Sequence, residues 1–210
     1  MLSSITSCVL HGIDGKIINV ETDISNGLPG LNIVGLPDIS IKESRDRIRA
    51  GIKNSGLEFP IKRITINLSP AYTKKYGTHL DLPMAIGVLT AYGQITSSRM
   101  WDYAYIGEMS LNGKLNKVVG VLPMAISLRE KNITKIIVPM ENLREVSVID
   151  DIEVYGFNSL NEVVEFLQGA KYQPVIEDTK ENQLQDTEAA TDLGDVSGQK
   201  YALRAMEIAA

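Results

Sequence analysis

Apolar and polar residues alternate along two early stretches, Ser4 to Leu10 and Lys16 to Ile24, with valine, isoleucine and threonine on one side of the alternation. That period of two predicts a half-buried antiparallel pair of strands, joined by a turn at His11 to Gly15. Asn26 to Gly30 is turn-rich, and Leu31 to Val34 follows as a short third strand. The period then changes. Ile41, Ile48 and Ile52 fall at helical spacing, Asp38 or Ser40 offers a cap before them, and Gly56 offers a stop after them. A helix is therefore expected from that cap to about Ser55. Lys62 to Leu68 alternates again as a strand, ended by Ser69-Pro70. Leu80 to Tyr92 is apolar on all sides, the pattern of a core helix, with Pro83 in the first turn where proline is tolerated.

In the second half, Tyr105 to Leu111 and Lys114 to Val118 are expected to form a hairpin, with Asn112-Gly113 as a type I′ turn. Val121 to Lys131 reads as a helix and Lys135 to Val138 as a buried strand. Asn142 to Val148 reads as a short helix, Ile152 to Tyr155 as a strand and Leu160 to Leu167 as a closing helix. A meander with one inserted helix, followed by alternating strands and helices, points to an α+β or mixed-sheet α/β domain and away from a doubly wound fold.

The pattern fades after Gln168. Pro174 to Asp195 holds seven acidic residues and one lysine, so residues 171–196 are expected to be an acidic linker, cut first by proteases. Ser197 to Ala210 returns to helix-forming residues and stops inside its pattern. The natural protein is expected to continue from there. Composition adds little: 44% hydrophobic and 22% charged residues are ordinary for a globular protein of 210 residues. The net charge of −5 makes the whole chain no magnet for nucleic acid, although it leaves room for a local basic patch. The one cysteine, Cys8, excludes an internal disulfide and fits a cytoplasmic location. No apolar run approaches the ~20 residues of a membrane span.

Catalytic chemistry is hard to find. No Gx4GK[ST] loop is present, and the glycines of NGLPGLNIVGLP lead into a strand, so they read as turn residues and not as a phosphate cradle. His11, His79 and Cys8 lack the paired spacing of a zinc site. His79 and Asp81 stand too close along a helix start to face each other as base and carboxylate. The feature that stands out is cationic. Lys42, Arg45, Arg49 and Lys53 recur at steps of three and four along the first predicted helix, which puts them on one face. Lys62, Arg63, Lys74 and Lys75 add cations nearby in sequence, and Glu43, Asp46 and Glu58 dilute the cluster. Such a row is either a solvated helix face or a docking surface for phosphates or an acidic partner. No accompanying pattern of asparagine, glutamine and aromatic residues points to base reading or stacking.

Several segments resemble the N-terminal domain of the magnesium-chelatase-like AAA+ ATPase family, the YifB/ComM group. They are GLPGLNIVGLPD (27–38), ESRDRIRAGIKNSG (43–56), RITINLSPA (63–71), LDLPMAIGVL (80–89), GEMSLNGKLNKVVGVLP (107–123) and IIVPMEN (136–142). The terminal GQKYALRAMEIAA resembles the lead-in to that family's Walker A loop. The resemblance implies a fold of the ribosomal protein S5 domain 2 type, shared with the Lon protease domain, over residues 1–170. It implies that residues 197–210 begin an AAA+ module, and that ATP and magnesium are bound by the longer parent and not by this fragment. Lon-type proteases place a serine in a GPSAG-like segment and a lysine nine residues beyond the glycine of a later segment. Here Leu80 falls at the serine position, and counting nine on from Gly113 reaches Leu122, so the Ser-Lys peptidase dyad is missing.

The function expected is a non-catalytic assembly and DNA-contacting domain of an ATP-driven, homo-hexameric cytoplasmic motor acting in recombination, branch migration or DNA uptake. Its site residues would be Lys42, Arg45, Arg49 and Lys53, with its own AAA+ module and neighbouring subunits as partners. The competing readings are a purely oligomerising or regulatory domain without DNA contact and, disfavoured by the two leucines, a peptidase. No catalytic residue, cofactor or metal site is expected in the chain itself, and no membrane contact.

Overall fold

The structure is a computed structural model that describes residues 2–171 and 198–209. Contacts divide the chain into two compact units, Met1–Pro174 and Val175–Ala210. The expected acidic linker lies, apart from Lys171, outside the described residues.

The first unit is built on a seven-stranded mixed sheet. Its strands are β1 (Leu2–His11), β2 (Asp14–Ser25), β3 (Gly30–Val34), β4 (Arg63–Ser69), β5 (Ala104–Tyr105), β8 (Lys135–Pro139) and β9 (Glu153–Phe157). Their order is β3-β4-β2-β1-β5-β8-β9. β2 runs antiparallel to β1 and β4, whereas β3 beside β4, and β1, β5, β8 and β9 in succession, run parallel. The meander half and the strand-helix half of the sequence thus share one sheet. Period-two alternation divides the core between its faces. Ile5, Val9, Ile64, Ile66, Tyr105 and Ile137 join one buried cluster with α1 (Ile39–Asn54), α2 (Asp81–Tyr92) and α5 (Leu160–Leu167). Cys8, Ala104, Ile136 and Val138, their sequence neighbours, join a second cluster with α3 (Val121–Glu130) and α4 (Leu143–Val146). The fold is Lon-like, as the resemblance implies.

α1 begins where Asp38, and not Ser40, caps it: Oδ1 of Asp38 accepts from the Ile41 N–H at 2.9 Å and from the Ser40 hydroxyl at 2.8 Å. Ile41, Ile48 and Ile52 are fully buried, so the helical period is the one expected. α2 is buried at every residue but Tyr92, between the β1–β2 pair and α1.

The glycine-rich segment is turn and strand. Gly35 has φ +95°, and a Cβ there would stand 2.3 Å from the Leu68 carbonyl oxygen, so the chain leaves β3 pressed onto the β4 backbone at Gly35. Gly35→Ala is expected to cost at least ~1–3 kcal/mol from the backbone conformation alone. A thermal melt of the variant checks this, and an unchanged Tm would contradict it.

Two expected elements differ. The hairpin is shorter than its pattern: β6 (Glu108–Met109) pairs with β7 (Leu115–Asn116), while β5 leaves to join the main sheet. Its turn is not type I′, because only Gly113, at φ +82°, and not Asn112 has positive φ. The Gly113 N–H donates to Ser110 O at 2.9 Å and the Ser110 N–H to Lys114 O at 2.9 Å, a three-residue loop with a left-handed glycine in third place. The helix expected over Asn142–Val148 is a 3-10 turn at Met140–Asn142 running into α4. The second unit contributes α6 (Lys200–Ala209). No described helix is long and apolar enough to cross a membrane.

Candidate nucleic-acid interface

Burying its isoleucines turns the opposite face of α1 to solvent. Lys42, Arg45, Arg49 and Lys53 are all exposed, and none of the four side chains makes a hydrogen bond or ion pair among the described residues. Three of them, Arg45, Arg49 and Lys53, line a groove of about 450 Å³ between α1, the edge strand β3 and the segment Phe59–Ile61. Pro29, Gly30, Leu31 and Asn32 form its far wall, and Asp46 is its one carboxylate. Lys42 lies one helical turn before Arg45 and Asp46, outside the groove. The four cations are therefore free at the surface of α1, with the exposed carboxylates of Glu43 and Asp46 on the same helix.

One of the added cations does not belong to it. Lys75 is fully buried. Its ammonium donates to the Gly35 carbonyl at 2.9 Å and to the Pro70 carbonyl, and burial holds its pKa below the ordinary lysine value. It fastens the turn after β3 to the turn after β4. Sequence reasoning placed it among the surface cations because charge alone does not tell an outward lysine from one that satisfies backbone carbonyls.

Sequence reasoning also missed the polar centre behind the row. Arg47 turns inward from α1 and meets Asp81, in the first turn of α2, through Nε–Oδ2 at 2.7 Å and Nη2–Oδ1 at 3.1 Å. Nη2 also donates to Ser44 Oγ at 2.8 Å and Ser40 O at 3.1 Å, and the Met109 N–H donates to Asp81 Oδ2 at 3.2 Å. Burial raises the Asp81 carboxyl above its usual range against the pull of the Arg47 and Ser44 bonds. The Asp81 bond in turn raises the Arg47 guanidinium. Beside them, Thr78 Oγ1 donates to Glu108, and Asn116 Nδ2 donates to Glu108 Oε1 at 3.0 Å. Burial raises the Glu108 carboxyl, but these bonds and the Arg47 charge outweigh it and leave it below its ordinary value. The available signal was Asp81 itself, a lone carboxylate at the head of an apolar helix.

Neither position of the Ser-Lys dyad carries a nucleophile or a base. Leu80 is fully buried and Leu122 partly buried. Setting Gly77 on the opening glycine of the GPSAG-like segment shifts the register by one and puts His79 in third place. His79 is 6% exposed, and its Nε2 has no hydrogen-bond partner. Burial lowers its pKa to about 4. Burial likewise pushes the Cys8 thiol up to about 12, which leaves it a poor nucleophile. Among the described residues, no group of three or more His, Cys, Asp and Glu converges as metal ligands would.

The mixed sheet is of Lon type, and comparison gives the chain a family. Residues 20–142 match the model of subunit ChlI of Mg-chelatase, and the chain belongs to this magnesium-chelatase-like family, in its YifB/ComM group. It is 37% identical over its whole length to the competence protein ComM of Haemophilus influenzae, of which the match covers 41%. It is 41% identical over its whole length to the uncharacterized protein YifB of Escherichia coli, of which the match covers 40%. The chain thus spans about two-fifths of the length of these relatives. A more distant similarity, 22% identity over 76% of the chain, connects it with 21% of the Lon protease of Rhizobium meliloti, in accord with the Lon-like fold.

Proposed function

We propose that this chain is the non-catalytic assembly and DNA-contacting domain of a longer, ATP-driven AAA+ motor. The motor works as a cytoplasmic hexamer in recombination, branch migration or DNA uptake. The competence name of the ComM relative supports that setting. ATP and magnesium belong to the AAA+ module of the parent. The domain's partners are that module, the neighbouring subunits and DNA.

The observation that carries DNA contact is the row of four exposed cations, Lys42, Arg45, Arg49 and Lys53, none of them paired with a side chain among the described residues. Exposed lysines and arginines on helices commonly pair with acidic neighbours. A row left unpaired on a chain of net charge −5 favours a polyanion as its partner. Each phosphate contact contributes about −0.9 to the slope of log affinity against log salt on duplex DNA, or about −0.7 on a single strand. Lys42→Glu, Arg45→Glu, Arg49→Glu and Lys53→Glu together, made in the full-length protein, should lower both DNA affinity and the salt slope and leave basal ATPase activity in place. Unchanged binding would favour a purely oligomerising or regulatory role.

A further inference from the structure

The loop from Pro70 to Gly77 carries aromatic surface to the start of the basic helix. The Asp38 N–H, at the cap of α1, donates to the Lys75 carbonyl at 3.1 Å. The Lys75 N–H donates to Leu36 O at 3.2 Å, and Pro37 and Lys75 form a parallel bridge. With Lys75 turned inward, its neighbours Lys74 and Tyr76 turn outward together. Tyr76 is 50% exposed, with the Lys74 ammonium 5.1 Å from its ring centroid, and Tyr72 is 85% exposed. The Lys42 N–H donates to Asp38 O at 3.2 Å, so the first cation of the row stands on the turn that this loop is tied to. At the other end of the row, the groove beside Arg49 and Lys53 is walled by Pro60 and by Ile61, itself 84% exposed.

We infer that α1 with its flanking loops is a single-stranded DNA track. Phosphates lie along Lys42, Arg45, Arg49 and Lys53, while unstacked bases rest on Tyr72 and Tyr76 at one end and in the groove against Pro60 and Ile61 at the other. This rests on the DNA-contact reading above and names the form of DNA. The row from Lys42 to Lys53 is about 16 Å long at the rise of an α-helix. Cations alone serve duplex and single strand alike. Exposed aromatic faces and the apolar wall of a groove add affinity only where bases are free of their own stack. α1 by itself carries no aromatic residue, so the pattern of that helix gave no sign of stacking. The loop supplies it through contacts distant in sequence.

The test measures fluorescence anisotropy of the 210-residue chain with a labelled oligo(dT) of about 15 nucleotides, a duplex of the same length and a labelled poly-glutamate peptide. The single strand should bind more tightly than the duplex. Tyr72→Ala with Tyr76→Ala should weaken single-strand binding roughly fivefold to a hundredfold and leave the salt slope unchanged, and Phe at both positions should restore it. The four-fold charge reversal should flatten the salt slope instead. Circular dichroism melts confirm that each variant folds. If the tyrosine pair changes nothing, or the duplex binds equally well, the single-strand track is wrong and the basic-row reading stands. Binding that ignores the charge reversal overturns both. So does capture of poly-glutamate but of neither DNA, or no binding to DNA at low salt.

Discussion

Arg47→Met is expected to lower the stability of the first unit by about 3–5 kcal/mol, the loss typical when one partner of a buried ion pair is removed. The Arg47 side chain is 22% exposed and that of Asp81 is at 0%, so the two partners are not equivalent. Without the guanidinium, Asp81 keeps the Met109 N–H and its place in the first turn of α2. Its negative end then faces a low-dielectric core with no counter-charge. Asp81→Asn releases a partner that can swing towards water, so its cost should be smaller. The double variant should be less damaged than the sum of the singles, because the second change removes a charge that the first left stranded. Urea denaturation of the four species measures this directly. A shift below ~1 kcal/mol for Arg47→Met would mean that the ion pair does not hold α1 to α2.

The same pair explains why the basic row is so regular. α1 carries five cations, and the one that is spent internally, Arg47, is the one out of step with the row. The four remaining cations are left to solvent. Stability and surface chemistry are thus divided along one helix by which side of it each residue occupies.

Much of this was legible in the chain. The β1–β2 pair, β3, β4 and α1 follow from hydrophobic period, because each has one face in the core and period decides which, and α2 from a run that is apolar on all sides. The cationic row was legible for the same reason. The central hairpin was legible in place but not in extent, since β5, β6 and β7 are two residues long, and the ends of strands that short are fixed by tertiary pairing and not by pattern. Lys75 and Arg47 were misplaced or missed because their partners stand far off in sequence: Gly35 for the first, Asp81 for the second. The tyrosine loop beside α1 escaped notice likewise, being brought there by backbone bonds between residues 36–38 and 75.

The second large effect concerns acid. His79 is buried with its Nε2 unpartnered, and burial lowers its pKa from 6.5 to about 4, against the opposing pull of a Cys8 backbone contact and the Asp38 charge. In the folded unit the imidazole stays neutral until about pH 4, whereas in the unfolded chain it takes a proton near pH 6.5. Between those values the unfolded state binds more protons, so stability falls as the pH drops through this window. Above pH 6.5 neither state is protonated and the dependence vanishes. Below about pH 4 both are protonated and the loss is complete. The depressed pKa corresponds to roughly 3 kcal/mol over the window. Asp81 and Glu108 are carboxyls shifted in opposite directions, so the His79 contribution is isolated by difference. His79→Leu keeps an apolar side chain in the site and removes the titrating group. The free energy of unfolding in urea at pH 7.5, 6, 5 and 4.5 should fall below about pH 6.5 for the native sequence and much less for the variant, so that the difference between the two changes with pH. Parallel curves would show that His79 is charged in the folded unit, or that water reaches its ring.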